Sequence, residues 1–406
     1  MYVIFGRILQ EILMRFIKPL IGIAFISSLI WAIPAHAADP DSSKKAQELI
    51  DKGLAYLKSQ QKPDGSWQTA NDQPALTAIA LKAFLGDSKN YNAQSPLVEK
   101  GFTKLLTYQQ PNGGIYKDMI ANYNTSIAIS ALSAAGDKKY QSQVEKAVAF
   151  LKALQWNNNP AELNERKAVE DSDPRFGGWG YGRKERPDMS NLQVAMDALK
   201  DAGLNPSDPA YQNAIKFITR SQNLSETNDQ PWASNDGGFI YTPALGGESM
   251  AGEYTGPDGK KLLRSYGSMT YAGLKSMIYA GLTKDDQRVK AAFEWISKNW
   301  TVDENPGMKS PDPAAAGYGL YYYFHTLARS LSAYGQPTIT DPQGKSHDWR
   351  IELIDKLATL QKPDGSWVGE KKWMEDNPVL VTAYAVIALE HAEQDLAARP
   401  IASAAQ

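Results

Sequence analysis

The chain has 406 residues, of which 43 are basic and 45 acidic, so its formal net charge is −2. Nucleic-acid binding usually requires a concentrated basic face, so this composition gives no electrostatic basis for it. The chain contains no cysteine, which excludes disulfides, a thiolate nucleophile and a thiolate zinc site. Its stability must come from packing, and no metal or cofactor site is predicted.

The first 37 residues have the features of a secretory signal peptide. Arg15 and Lys18 precede an apolar run over residues 20–33, and Ala35-His36-Ala37 places small residues where a signal peptidase reads them. The run is shorter than the ~18 to 20 apolar residues that span a bilayer, which argues against a membrane anchor. We therefore predict cleavage after Ala37 and an exported protein, periplasmic or secreted, with no stable membrane span.

A heptapeptide, Gln-Lys-Pro-Asp-Gly-Ser-Trp, occurs at residues 61–67 and again at residues 361–367. Each copy follows a stretch with apolar residues at helical intervals, and its proline and glycine force a turn. Partial copies, with glutamine, glycine and an aromatic residue in the same order, begin at Gln109, Gln155 and Gln222. Self-similarity at this period is typical of a repeat architecture, in which no unit buries its apolar face alone.

Each unit contains two predicted helices of different character. The first is amphipathic and carries Lys, Gln and Glu, whereas the second is rich in alanine and apolar nearly all round, which predicts a solvent-facing and a buried helix. The second helices are predicted to begin near residues 75, 124, 189, 268, 319 and 379. The sequence thus predicts an all-α fold, an α/α toroid of six helix pairs in inner and outer rings.

We expect residues 38–395 to form this single toroid domain and residues 396–406 to form a disordered tail. The links from first to second helices are mostly the long ones, for example residues 155–189 and 222–268. In a stacked repeat such insertions lie on one face, which is commonly the binding face. The inner helices begin on that face, and helix N-termini favour an anionic or strongly polar ligand group.

The first repeat also carries a family resemblance. Lys52-Gly53, Tyr56-Leu57, Gln61, Gly65 and Trp67 match the glutamine-tryptophan repeat motif of squalene-hopene and oxidosqualene cyclases. The chain therefore resembles the prenyltransferase and squalene cyclase repeat superfamily over essentially its whole mature length. The resemblance implies an α/α toroid whose central cavity holds an isoprenoid chain. It also implies structural roles for the repeat glutamines and tryptophans.

Two departures from the family pattern bear on chemistry. Squalene cyclases protonate their substrate with an Asp-x-Asp-Asp-Thr-Ala motif at the start of an inner helix, but residues 75–78 and 379–383 here contain no carboxylate. Alkene protonation requires a strong acid in a dry pocket. The zinc site of protein prenyltransferases includes a cysteine, which this chain lacks, although Phe324-His325-Thr326 resembles its histidine segment. We therefore expect binding or processing of an isoprenoid or other lipid without the usual acid.

Three residues are candidates for catalysis. Asp171 and Asp173 lie in the long third link, and two carboxylates this close can share a proton or a metal, or simply form an Asp-Pro turn on a solvated loop. His325 follows a tyrosine cluster, and it is either a general base or a hydrogen-bonded core histidine. The candidate ligand-binding residues are Arg175, Tyr181, Arg264, Tyr266, Tyr318 and Tyr322. Most of this set is expected to converge, with Asp173 and His325, around one opening.

Two other functions remain open from the sequence. A toroid can act as a non-catalytic scaffold with a protein partner, which predicts a filled centre and an apolar outer patch. It can also be a carbohydrate-active toroid, a glycosidase or polysaccharide lyase, with aromatic sugar platforms and two carboxylates about 5 to 10 Å apart. The expected partner in our main interpretation is an isoprenoid or lipid-like small molecule.

Overall fold

The computed structural model describes residues 40–69, 72–159, 167–182, 184–310 and 312–399. The predicted signal peptide and residues 400–406 lie outside them. The described residues contain twelve α-helices: α1 (Pro40–Gln60), α2 (Ala75–Gly86), α3 (Pro96–Leu106), α4 (Ala121–Ala134), α5 (Gln141–Ala153), α6 (Met189–Asp201), α7 (Pro209–Arg220), α8 (Gly267–Tyr279), α9 (Gln287–Lys298), α10 (Leu320–Tyr334), α11 (Trp349–Leu360) and α12 (Pro378–Ala398).

Two small antiparallel hairpins lie in the connections. Strand β1 (Glu253–Thr255) pairs with β2 (Lys261–Leu263), and β3 (Thr338–Thr340) pairs with β4 (Ser346–Asp348). The prediction of an all-α fold is confirmed, because the hairpins decorate a helical body. None of the described helices combines the length and the apolar character needed to cross a membrane.

The even-numbered helices form a closed inner ring. Each even-numbered helix contacts the next one, from α2 through α4, α6, α8 and α10 to α12, and α12 contacts α2 again. The odd-numbered helices pack outside this ring. Ten of the twelve residues of α2 are buried, against four of the eleven in α3, which separates an inner from an outer helix. Ala78, Ala80 and Ala83 are fully buried in α2, where their small side chains permit close helix approach. The α/α toroid is thus confirmed.

The repeated glutamine and tryptophan tie neighbouring units together. The indole Nε1 of Trp67 donates to the carbonyl oxygen of Leu57 at 2.6 Å, and Trp367 makes the equivalent bond to Leu357 at 2.9 Å. Both rings are buried. The side-chain amide of Gln61 donates to the carbonyl oxygen of Leu97, in α3, at 2.9 Å. The motif therefore joins the end of one outer helix to the next.

The motif glycine is required by two separate constraints. Gly65 has a φ of 90°, a left-handed conformation that side chains disfavour. A Cβ atom built on it would lie 2.5 Å from the carbonyl oxygen of Lys100, in the next outer helix. Gly365 has a φ of 87° and would meet the carbonyl oxygen of Lys52 at 2.4 Å. Only glycine lets these turns touch the neighbouring backbone.

The last helix extends slightly past the predicted domain boundary. Helix α12 continues to Ala398, and Leu396 is 1% exposed in the core. Residues 396–398 therefore belong to the helix rather than to a disordered tail, because the apolar face of the helix still packs on the toroid at Leu396. The remainder of the predicted tail lies outside the described residues.

Candidate functional site

The first turns of all six inner helices line one open cavity of about 490 Å³. They contribute Ala75 and Leu76 from α2, Tyr123 from α4, Ser190 from α6, Ser268 and Met269 from α8, Tyr322 from α10, and Leu380 and Tyr384 from α12. The links add side chains around the mouth, among them Met119, Met250 and Trp373. The cavity therefore opens on the face where the inner helices begin, which is the face that the link lengths indicate.

The wall of this cavity is dominated by tyrosine and apolar side chains. Its six tyrosines are Tyr123, Tyr181, Tyr241, Tyr266, Tyr322 and Tyr384. Among the described residues that line it there is no lysine, arginine or histidine. Tyrosine rings offer apolar surface and a single polar hydroxyl each, so the wall suits a largely apolar ligand with few polar groups.

Three of these tyrosines form the floor of the cavity. Tyr123, Tyr322 and Tyr384 also line a second, deeper space of about 10 Å³, which holds about one water molecule. The hydroxyls of Tyr123 and Tyr384 lie 2.6 Å apart in a mutual hydrogen bond. Gln193 donates its side-chain amide to the hydroxyl of Tyr322 at 2.6 Å. We call these three tyrosines the tyrosine floor.

An ionic cluster lies beneath the tyrosine floor. Lys275 Nζ donates to Asp197 Oδ2 at 2.9 Å and Arg329 Nη1 lies 3.1 Å from the same oxygen. Arg329 also reaches Asp201 at 3.1 Å, and Lys82 Nζ lies 2.7 Å from Asp201. The side chain of Lys275 is fully buried, and this burial lowers its pKa to about 8. The ring centre therefore holds a charged cluster among apolar side chains such as Ile79 and Ile127.

Two buried carboxyl groups at the starts of inner helices were not singled out by sequence reasoning, and one of them lines the cavity. Glu375, in the last link, lines the cavity and is 1% exposed. Its Oε1 accepts the backbone N–H of Tyr322 at 2.8 Å, which satisfies a donor at the start of α10. Burial raises the pKa of Glu375 to about 7, against the opposing effect of these backbone hydrogen bonds. The group is therefore mostly protonated below about pH 7 and about half ionised at that pH.

Asp188 is the second buried carboxyl, and it is not among the residues that line the cavity. It caps α6 by accepting the backbone N–H of Asn191 at 2.8 Å and is 2% exposed. Burial raises its pKa to about 6, although hydrogen bonds from Asn191 and Tyr241 oppose the shift. Its sequence signal was an aspartate directly before a predicted helix, which is a common N-cap. Glu375 has no such local signal, because its partner on α10 lies 53 residues away.

Backbone strain is concentrated around the mouth. The described non-glycine residues with positive φ are Ile120, Leu245, Trp373 and Met374. Each belongs to a link that leads into an inner helix, and three of the four line the cavity. A left-handed conformation costs a non-glycine residue roughly 1–2 kcal/mol, and such strain tends to occur at functional sites.

Exposed apolar side chains cluster in the same links. The large hydrophobic residues exposed among the described parts of the chain are Met119, Tyr181, Leu245, Trp373 and Met374. Four of these five line the cavity. The coincidence of strain, exposure and an open cavity identifies this face as the candidate site.

The structure brings Tyr181, Tyr266 and Tyr322 together in the cavity wall. His325 instead lies below the floor, where it is 5% exposed and lines the deeper space. Burial, with the nearby Arg329 and Lys275 charges, holds the pKa of His325 well below its ordinary value. This histidine is therefore neutral and is not open to the upper cavity.

Asp171, Asp173 and Arg175 do not line the cavity. Arg175 donates to Asp173 through Nε at 2.9 Å and Nη2 at 2.6 Å, and it lies 4.8 Å over the ring of Trp156. Asp171 is paired with Lys216 on an outer helix. Asp173 and Arg175 are thus paired within their own turn and line neither the cavity nor the deeper space at His325. The roles of Asp171, Asp173 and Arg175 in catalysis and binding remain predictions.

Arg264 and Tyr318 also lie outside the cavity lining. Arg264 lies 4.8 Å over the ring of Tyr254, on strand β1. Tyr318 packs edge-on against Trp373, with ring centroids 6.3 Å apart. Tyr318 therefore supports a residue of the wall, whereas Arg264 is held by the hairpin. The roles of both residues in ligand binding remain predictions.

The sequence matches no protein-family profile and no curated protein. Solved structures do resemble it. A type II terpene cyclase from Scytonema, in complex with geranylgeranyl dihydroxybenzoate, has a TM-score of 0.54 at 17% identity over 88% of this chain and 99% of that one. An inactive variant of an α-1,6-mannanase from Salegentibacter, in complex with α-1,6-mannotriose, has a TM-score of 0.52 at 10% identity. This match covers 87% of this chain and 100% of that one.

A GH76 α-mannanase from Bacteroides thetaiotaomicron has a TM-score of 0.50 at 12% identity, over 87% of this chain and 97% of that one. Identities this low show the fold alone. The chain is therefore a helical toroid, an architecture that occurs in a terpene cyclase as well as in mannanases.

Proposed function

We propose that this chain is a member of the terpene cyclase and prenyltransferase toroid superfamily that binds an isoprenoid or a similarly apolar molecule in its central cavity. The observation that carries the proposal is the cavity itself, which is open at the start of the inner helices and walled by tyrosine and apolar side chains. Its volume of about 490 Å³ falls in the usual range for small-molecule sites. The similar terpene cyclase structure contains an isoprenoid substrate.

The cavity wall also supplies an acid. Glu375 lines the cavity, is buried and has a pKa raised to about 7 by burial. A protonated carboxyl in an apolar wall is suited to act as a general acid. If the bound molecule is processed, we expect Glu375 to supply the proton, rather than Asp171 or Asp173, which lie on the surface.

Binding is tested with farnesol and geranylgeraniol, titrated into the mature protein by isothermal calorimetry. Ser190 is half-buried in the first turn of α6 and lines the cavity, so Ser190→Trp places a ring inside the cavity. We expect Ser190→Trp to weaken binding at least tenfold and Ser190→Ala to leave it within about threefold, since alanine adds no volume. Equal binding by both variants, or no binding by the unaltered protein, contradicts the proposal.

A carbohydrate-active function is the second candidate. Two carboxyl groups, Asp72 and Glu375, line the same cavity beside aromatic rings, and mannanases share the fold. Paired carboxyls and aromatic platforms are the elements that glycoside hydrolysis requires. Turnover of any member of a polysaccharide panel, abolished by Glu375→Gln, favours this function over lipid binding. The scaffold alternative predicts a filled centre, whereas this ring is filled only beneath the tyrosine floor.

A further inference from the structure

We propose that the ligand carries an anionic group of the carboxylate class and binds with this group innermost, against the tyrosine floor. This inference rests on the proposed function, because it concerns the orientation and chemical class of the molecule in the same cavity. It adds an anion subsite to a site whose walls are mostly tyrosine and apolar side chains and also carry two carboxyl groups, Asp72 and Glu375.

The first argument is the order of residues along the axis of the ring. On α10, Tyr322 lines both cavities, while His325 and Arg329 line only the deeper one. These positions lie on one helix face at intervals of three and four residues, and Arg329 is about 10 Å deeper than Tyr322 at the helical rise. On α2 the same order runs from Leu76 to Lys82. The cavity is thus apolar at its mouth and charged beneath its floor.

The second argument is the balance of charge. The ionic cluster contains three cations, Lys82, Lys275 and Arg329, whose carboxylate partners are Asp197 and Asp201. The neighbouring Glu390 is neutral, since burial raises its pKa well above its ordinary value. Lys275, with its pKa of about 8, is charged at neutral pH and below, where one positive charge is therefore uncompensated beneath the floor. A cation held away from water favours an anion nearby.

Three unsatisfied groups line the deeper space. Arg329 Nε, His325 Nδ1 and Asp197 Oδ1 are buried without a hydrogen-bond partner among the described residues. All three side chains are at least nine-tenths buried, and all three residues line the deeper space. Native proteins rarely leave such groups unpaired. The N–H of Arg329 is a donor only and the carboxylate oxygen of Asp197 is an acceptor only, so this space calls for both a donor and an acceptor, which one water molecule supplies.

The third argument is that the floor presents hydroxyl protons to the upper cavity. Tyr123 and Tyr384 share one hydrogen bond, so one of their two protons remains available to a ligand. The hydroxyl of Tyr322 accepts from Gln193, which in turn accepts from Lys275 at 2.5 Å. Its own proton is then available to Ser190 or to the ligand. Two donors on one floor match the two oxygens of a carboxylate.

A matched pair of probes tests this inference. Farnesoic acid and its methyl ester share one apolar chain, and at pH 6.5 the acid is ionised. At this pH Lys275 is charged and Glu375 is mostly protonated, because their pKa values are about 8 and about 7. We expect the acid to bind at least tenfold more tightly than the ester to the mature protein in calorimetric titrations at pH 6.5. Equal affinities, or tighter binding of the ester, overturn the anionic-group proposal and leave the proposed function standing. If neither compound binds, nor the prenyl alcohols, the proposed function itself fails.

A substitution locates the preference at the floor. Tyr322→Phe removes one hydroxyl and keeps the ring, so we expect the ratio of acid to ester affinity to fall at least fivefold. Tyr181→Phe changes a tyrosine at the mouth, where the ring is 40% exposed, and should leave that ratio unchanged. Lys275→Met should also lower the ratio of acid to ester affinity, provided that circular dichroism shows that this variant is folded. An unchanged ratio in Tyr322→Phe overturns the subsite, whether or not the lysine variant folds.

Discussion

The side-chain amide of Gln361 donates a hydrogen bond to the backbone carbonyl oxygen of Leu49 at 3.0 Å, across 312 positions of sequence. Leu49 lies in α1, the first outer helix, and Gln361 directly follows α11, the last one. Gln61 makes the equivalent bond to Leu97 only 36 positions ahead. The same repeat contact therefore links adjacent units and, at its last occurrence, closes the ring.

Replacing Gln361 by alanine should destabilise the protein through lost closure. The variant removes the bonds to Leu49 and to Gly365, and the loss of two partly buried hydrogen bonds costs about 1–3 kcal/mol in the free energy of unfolding. Gln61→Ala is the matched control, because it removes the same two bonds within the first unit. Urea denaturation measures both. A loss below ~0.5 kcal/mol in Gln361→Ala argues against an energetic role for closure.

The repeat tryptophans should be structural. Trp67 is 3% exposed, so Trp67→Ala is expected to cost ~3 to 5 kcal/mol through lost burial and the cavity left behind. Trp67→Phe keeps most of the burial and loses the hydrogen bond to Leu57, which should cost nearer to 1 kcal/mol. Thermal denaturation followed by circular dichroism ranks the two. Similar losses in both variants contradict the assignment of most of the energy to packing.

Strain at the mouth should be removable by substitution. Leu245 is 84% exposed and has a φ of 55°, so its side chain gains little burial while its backbone is strained. Leu245→Asn should stabilise the fold by up to about 1 kcal/mol, because asparagine tolerates the left-handed conformation. Leu245→Ala lacks the short polar side chain that lets asparagine tolerate this conformation, and it should give no gain. Destabilisation by asparagine, measured in urea, shows that the leucine side chain supports the fold.

Sequence patterns located the inner helices closely, because alanine-rich apolar periodicity and the turn residues are local signals. The predicted starts near residues 189, 268 and 379 compare with Met189, Gly267 and Pro378. The candidate site was predicted less well. Tyr241 and Glu375 join the cavity only through ring closure, and the raised pKa of Glu375 depends on burial, which no local pattern reveals. The charged turn at Asp173 was conspicuous in sequence but pairs with its own Arg175.

The stability of the protein should depend on pH through Glu375. Its pKa is raised from the ordinary value of 4.5 to about 7 in the folded state by burial. The folded protein therefore binds this proton more tightly than the unfolded chain does. The resulting stabilisation is complete below pH 4.5 and is lost as the pH rises through about 7. The difference amounts to about 3 kcal/mol at most.

Glu375→Gln tests this dependence, because the amide stays neutral and keeps an oxygen that can accept from the Tyr322 N–H. Urea denaturation between pH 4.5 and 8 should show the variant gaining up to ~3 kcal/mol relative to the unaltered protein as the pH rises. Asp188→Asn, at the cap of α6, should show the same trend in a window ending near pH 6, where its pKa lies. A pH-independent difference in the free energy of unfolding between Glu375→Gln and the unaltered protein means that Glu375 is already ionised in the fold, and this removes its assignment as the protonated acid of the cavity.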